Sequence, residues 1–344
     1  MAQPALGPVV AVDLGGTQIR AAYATPEFQV EYRRAVPTGD SSRVAAVIAE
    51  ITRLASAVVD DVHAAGLPEP VGVGISSPGP IDPWRGLVVA PPNLHGWRDV
   101  PLADEVERAL ALPTFLERDT NVAVLAEWRA GAGAAADDVV YVTVSTGIGG
   151  GIVSGGAPLI GPDATAGEVG HMTVEIDGPL CGDGKPGHAE AIGSGTAIAR
   201  DGRELVATAR SEALARLVDG DADRVSAATV ARAADEGDLA CVAIMERAYQ
   251  AVGAMCASLV NALNPEVIVL GGSIAEHRPR LREVAREEID RRAFAIPAAR
   301  VRVVAPHFGD DVSLVGSVPL VADRRVDPAF QRHRGAAPPI HGQT

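Results

Sequence analysis

The stretch VVAVDLGGTQIRAAYA, residues 9–24, is a short apolar strand, a glycine turn and a second apolar strand. The same arrangement returns about 130 residues later as VVYVTVSTGIGGGIVSG, residues 139–155. This repeat constrains the fold more than any other feature. It predicts two related α/β halves facing one another, each contributing a glycine hairpin, with the cleft between them a natural small-molecule site. Glycine lets backbone N–H groups converge on an anion without a Cβ in the way, and threonine hydroxyls add donors. Two such turns could grip a triphosphate, and Asp13, at the end of the first strand, would then hold Mg2+ through its waters.

Around the two hairpins, strands and helices alternate, which argues an α/β class. A strand-like QVEYRRAVPT is followed by a helix with Val44, Ile48, Ile51, Leu54, Val58 and Val62 on one face, capped by Ser41 or Ser42 and ended by Gly66. Next come a buried strand VGVGIS, a Pro/Gly loop SPGPIDPWRG, a helix near 101–110 and a strand TFLE. After the second hairpin, long helical segments run from about 193 to 262. They are followed by a strand EVIVLGG, a helix over 278–293, a strand RVRVVAP and a last helix near 311–324. The expected division is a small lobe of residues 1–118 with a returning segment 310–328, and a large lobe of residues 119–309. The tail 329–344, within DPAFQRHRGAAPPIHGQT, reads as disordered.

Composition removes several classes of function. The chain has 344 residues, 47% hydrophobic, enough for a sizeable core and about two domains. Thirty basic against 44 acidic residues give a net charge of −14 with no basic block, which would repel a phosphate backbone, so nucleic acid is not an expected partner. Three cysteines, Cys181, Cys241 and Cys256, make no disulfide framework and fit a reducing cytoplasm. The N-terminus lacks a cationic region ahead of its apolar run, which argues against a signal peptide. Residues 139–162 carry no charge, but their seven glycines alternate with valines, serines and threonines as strand and turn, so no membrane span is expected.

Two further pieces carry chemistry. NPEVIVLGGSI, residues 264–274, is a buried strand followed by glycines, where an adenosine could lie against the backbone around Gly271 and Gly272; alone, it reads first as an ordinary strand-to-helix turn. In LERDTNVAVLAEW, Asp119 falls between a strand and a helix at the expected domain junction. A carboxylate there can accept a hydroxyl proton as the hydroxyl attacks a phosphate, or it can simply cap the helix.

Together, VAVDLGGTQIRAA, GISSPGPID, ERDTN, VTVSTGIGGGI, GEVGHM, GHAE and LNPEVIVLGG, in this order over about residues 9–325, resemble the ROK family of the hexokinase/actin-like ATPase superfamily, and most of all its bacterial glucokinases. The resemblance implies two ribonuclease-H-like lobes that close on ATP–Mg2+ and a hexose in a cytoplasmic enzyme, commonly a homodimer. It assigns Asp13, Gly15, Gly16 and Thr17 to metal and phosphate, Thr146 and Gly147 to phosphate, and Asp119 to the role of general base for the sugar 6-hydroxyl. Glu168, His171 and Glu190 would hydrogen-bond sugar hydroxyls, a polar set that rejects wrong sugars by leaving groups unpaired.

Two departures from the family pattern stand out. Family glucokinases carry asparagine, a sugar ligand, immediately before the catalytic aspartate, and here Arg118 occupies that position. Arginine offers five donors and no acceptor, so it can reach an altered substrate, turn away, or pair with a carboxylate such as Glu117 or Asp119. The family zinc loop is a histidine followed by C-x-C-G-x-x-G-C. CGDGKPGH instead supplies Cys181, Asp183 and His188, with His171 upstream; both replacements are residue types that bind Zn2+. The expected activity is therefore ATP-dependent phosphorylation of a hexose, glucose first. N-acetylmannosamine, N-acetylglucosamine, mannose and fructose are alternatives, and polyphosphate is an alternative donor. A sugar sensor without catalysis is a reading of another class, opposed by the presence of both Asp13 and Asp119. DNA-binding repressors of the family carry a helix-turn-helix ahead of the first phosphate motif, whereas only eight residues precede Val9 here.

Overall fold

The computed structural model describes residues 4–331 and divides the chain into two compact units. One comprises the residues up to Ala134, the segment Ile160–Ala166 and the residues from Phe308 onward; the other comprises Ala135–Leu159 and Gly167–His307. This differs from a boundary at residue 118: the helix Asp119–Ala130 clusters with the N-terminal unit, and a strap of seven residues from the middle of the chain joins it. Among the described residues no helix is long and apolar enough to cross a membrane.

The first unit is built on strands β1 (Val9–Leu14), β2 (Gln18–Ala24), β3 (Val30–Pro37) and β4 (Val73–Ser77), with a small ladder of β5 (Ile81–Asp82) and β6 (Leu87–Val88), and then β7 (Thr114–Arg118). Its sheet runs β3-β2-β1-β4-β7, with β1, β4 and β7 mutually parallel and the β1–β2–β3 meander antiparallel. The helix Val44–Ala65 buries Val47, Ile51, Leu54, Ala55, Val58 and Val62, in one cluster with Val10, Val12 and Leu14 from a single face of β1. Gly66, at φ 66°, closes the helix in the left-handed conformation as expected. The expected serine cap is absent: Ser41 Oγ accepts from the His95 N–H and Ser42 Oγ donates to Asp40, so the helix starts after Arg43 without a side-chain cap. On the opposite face of the sheet the helix Ser317–Val326 comes in close, because Gly74 leaves room for it; a Cβ there would lie 2.6 Å from Ser317 Cβ.

The start of the tail expected to be disordered is a short helix, Pro328–Gln331. Phe330 is buried, stacked on Trp84 at 6.3 Å and lying under the Arg324 guanidinium at 3.7 Å; this aromatic and cation–π docking is what orders the segment. The rest of that tail lies outside the described residues.

The second unit repeats the first. Strands β8 (Val139–Val144), β9 (Ile148–Ser154), β10 (Ala157–Pro158), β11 (Val267–Gly271) and β12 (Arg302–Val304) form a sheet ordered β10-β9-β8-β11-β12. β8 and β9 pair antiparallel, and β8, β11 and β12 pair parallel, so the strand order and sense of the first sheet recur. Helices between residues 190 and 263 fill the long interval between β10 and β11. Ile198, Leu205, Leu214, Met245, Val252 and Val260 join Val140, Val142, Ile268 and Leu270 in the unit's core.

Candidate active site

In parallel α/β sheets, ligands collect at the carboxyl ends of the strands, and both units place their motif residues there. In the first unit, Asp13 is level with Ser76 across β1 and β4, and Ser76 is level with Glu117 across β4 and β7. Asp13 and Asp119 therefore stand at the same end of the sheet, the one on β1 and the other just beyond β7, with β4 between these strands. Register also places Arg20 opposite Asp13. Its Nε and Nη2 donate to Asp13 Oδ2 at 3.0 and 2.7 Å, while Nη1 donates to the Asp310 carbonyl at 2.8 Å. This partner was missed from the motif alone, although hairpin register would have found it. Asp13 Oδ1 accepts no hydrogen bond among the described residues, so the carboxylate keeps one oxygen for a hydrated Mg2+ and fits that ion as a water-bridged ligand.

Gly16 and Thr17 are exposed at the hairpin tip and Gly15 is partly exposed. The turn is tied by the Gly15 N–H to Gln18 O, by Thr38 Oγ1 to Gly15 O, and by the Thr38 N–H to Thr17 O. Its glycines serve space rather than unusual dihedrals: a Cβ would meet Gln18 O at 3.0 Å from Gly15 and Asn93 O at 3.2 Å from Gly16.

Asp119 opens the helix Asp119–Ala130, exposed, with its Oδ1 accepting from the Thr120 N–H at 2.7 Å. Arg118 turns inward. It is 3% exposed, its aliphatic stem runs beside Gly79, and its Nη2 donates to the Ala166 carbonyl and to Asn121 Oδ1. Asn121 in turn donates to Glu117 Oε1, and the buried Glu117 Oε2 pairs with Arg324 Nη2 at 2.6 Å. Arg118 is thus turned into the unit, in a polar network with Asn121 and the Ala166 carbonyl.

In the second unit, the hairpin Ser145–Gly147 lies beside the turn after β11, with Ser145 Oγ 3.0 Å from Ser273 Oγ. Thr146 is exposed, and its carbonyl accepts from Thr196 N and Oγ1. These groups line a depression of about 350 Å³ together with Gly195, Ala199, Arg203, Ser226, Ala228 and Ile274. Gly271 itself is buried, where a Cβ would lie 2.6 Å from Tyr141 Oη. Gly272, at φ 86°, packs on Thr143 and Val144. The two glycines thus bring Ser273 and Ile274 to the depression rather than lining it themselves. Arg203 and Ser226 had no motif to mark them.

His171, Cys181, Asp183 and His188 converge, with one ligand atom from each lying within 4.8 Å of the others. The two Nδ1 atoms are 3.2 Å apart; His171 Nδ1 is 3.6 Å from Asp183 Oδ2 and 4.0 Å from Cys181 Sγ, and His188 Nδ1 is 3.5 Å from Asp183 Oδ1. Ligand atoms about 2.0–2.3 Å from a tetrahedral zinc lie about 3.3–3.8 Å from one another, so the four side chains fit that ion. Burial pushes the Cys181 thiol above its ordinary value, with Asp183 and Gly182 N–H groups acting the other way. The Lys185 N–H holds Asp183 below the usual carboxylate range, followed by the two histidines. His171 Nε2 points to Glu168 Oε2 at 3.9 Å, so a metal on Nδ1 would leave the proton on Nε2, facing the exposed Glu168. Glu190 is turned to the hairpin, its Oε2 accepting from the Ile148 N–H at 2.8 Å.

Known proteins resemble the chain over most of its length. The ROK family profile matches residues 9–324. The chain is 34% identical over 315 residues to a glucokinase of Halalkalibacterium halodurans, covering 89% of this chain and 92% of that one. It is 32% identical over 319 residues to an N-acetylmannosamine kinase of Shigella flexneri, covering 92% and 99%. The solved structure of a ROK family glucokinase from Streptomyces griseus, in complex with glucose and AMPPNP, superposes with a TM-score of 0.76 at 30% identity, covering 91% of this chain and 99% of that one. With its duplicated sheet and its motif order, the chain belongs to the ROK family and is an ATP-dependent sugar kinase of the actin-like ATPase fold.

Proposed function

We propose that the protein transfers the γ-phosphoryl group of ATP to the 6-hydroxyl of a hexose, with glucose as the first substrate. The observation that carries this reading is Asp119: an exposed carboxylate at the carboxyl end of β7, with its Oδ1 accepting from the Thr120 N–H, at the same end of the sheet as Asp13. Asp119 accepts the proton of the 6-hydroxyl as that oxygen attacks the γ-phosphorus, and the bond to the bridging oxygen breaks to release ADP. Asp13 with Gly15, Gly16 and Thr17, and Thr146 with Gly147, would hold Mg2+ and the phosphates; the adenosine would occupy the depression beside Ser273. When bound, Mg2+ neutralises the charge of the transferring phosphoryl group. Glu168 and His171 Nε2 offer an acceptor and a donor to sugar hydroxyls. Zn2+ held by His171, Cys181, Asp183 and His188 would fix that imidazole and close the loop. ATP and three unpaired cysteines suit a cytoplasmic enzyme.

A second substrate, N-acetylmannosamine, is favoured by one observation. Arg118, turned inward, stands where the glucokinase resemblance implies an asparagine contact to the sugar. A coupled ADP-release assay with ATP–Mg2+ against a panel of hexoses and N-acetylhexosamines decides between them. A kcat/KM for glucose above all others supports the first reading, preference for N-acetylmannosamine replaces it with the second, and no turnover on any sugar overturns both.

A further inference from the structure

Family resemblance gives Glu190 to the sugar, yet the structure points its carboxylate at the phosphate hairpin. Glu190 Oε2 accepts from the Ile148 N–H at 2.8 Å, and a Cβ built on Gly147 would lie 2.6 Å from the same oxygen. Its other oxygen, Oε1, lies 3.6 Å from Cys181 Sγ. The residues that follow it hold the same turn, with Gly195 N donating to Ser145 O at 2.8 Å and Thr196 N to Thr146 O at 3.1 Å. Within that segment, Glu190 supplies a charged acceptor behind the hairpin. A carboxylate there takes up the Ile148 N–H at the base of the turn with a charge-assisted hydrogen bond.

We infer that Glu190 is a positioning residue for the nucleotide: by clamping the Ile148 N–H it sets the Thr146–Gly147 turn, so ATP affinity depends on Glu190 even with no sugar present. The inference rests on the proposed phosphate role of that hairpin. It also gives Gly147 a second reason to be glycine, because any side chain would displace the carboxylate.

Calorimetric titration of the sugar-free protein with AMPPNP–Mg2+ tests it. Glu190→Ala is expected to weaken binding about tenfold or more, since a charged acceptor to a backbone N–H is lost. Glu190→Gln, which can still accept from Ile148 N, should stay within about threefold of the parent. Gly147→Ala should also weaken binding, and adding it to Glu190→Ala should cost little more, because the oxygen it strikes is gone. Multiplying effects in that double variant, or a Glu190→Ala loss that appears only in the sugar KM, overturns the positioning role. A loss in Thr146→Val with none in Glu190→Ala overturns it while leaving the hairpin's phosphate role standing; no loss in either removes both.

Discussion

Asp119 and Arg118 are chain neighbours in different surroundings: the first is exposed, its Oδ1 accepting from the Thr120 N–H, the second 3% exposed in a network running through Asn121 to Glu117 and Arg324. The change of element makes this so, since β7, buried throughout, ends at Arg118 and the chain turns into a helix at Asp119. Asp119→Asn keeps the size of the group and its acceptor for Thr120 but cannot take a proton. It is expected to lower kcat about 100-fold or more while the AMPPNP–Mg2+ dissociation constant stays within about twofold. Near-normal turnover would reject Asp119 as the base. The residue types at such positions were legible in the sequence because the chemistry restricts them. Arg118 was legible only as a departure, because its direction depends on Gly79 and Ala166, 39 residues before it and 48 after. The Asp13–Arg20 pair was readable in principle from hairpin register and was missed because the motif reading stopped at the turn.

At the level of elements, hydrophobic period placed the strands and the helix Val44–Ala65 well, but caps less so, because a serine can spend its hydroxyl on any nearby backbone group. Ser41 serves His95, whereas Asp238, never singled out, caps the 25-residue helix Leu239–Leu263. Its Oδ1 accepts from Cys241 N at 2.9 Å and its Oδ2 from Ser211 Oγ at 2.6 Å. Burial pushes the Asp238 carboxyl up, and the Ser211 hydroxyl and the N–H groups of Cys241 and Ala240 outweigh it, leaving the group below its ordinary value. A depressed carboxylate contributes stability that is present above its unfolded value, about pH 4, and is lost as pH falls through the folded one. Asp238→Ala should therefore cost about 1 kcal/mol at pH 7, read from urea unfolding. The gap to the parent should narrow as the pH is taken below about 4; a gap that stays constant with pH would mean that the cap acts by packing alone.

Across the whole molecule, two units with one strand order differ most in what they insert. Between β3 and β4 the first unit places a single long helix, whereas between β10 and β11 the second carries more than a hundred residues, including the loop from His171 to His188. That loop has isolated bridges at Thr173–His188 and Leu180–Pro186 but no helix or strand between residues 172 and 189. A stretch this long without its own ladder would be held by a clip, and the four-residue cluster has the composition and spacing of a zinc site that would supply one. The duplication and the cluster were both legible from motif order; the docking of Phe330 was not, since it depends on a stacking partner 246 residues away. The cluster can be tested on the chain's three thiols at once. Cys241 and Cys256 are 0% exposed, with burial pushing them up to about 11 and about 12, while Cys181 is 7% exposed at the cluster. A metal on Cys181 blocks it, so the loaded native protein should show no fast-reacting thiol toward an aromatic disulfide reagent and about one zinc per chain. Stripping the metal with a chelator should release one reactive thiol, absent in Cys181→Ser, and His188→Ala should release the same thiol without chelator. Zinc-free protein as purified, with one thiol already reactive and no response to added Zn2+, would reduce the cluster to an ordinary polar loop.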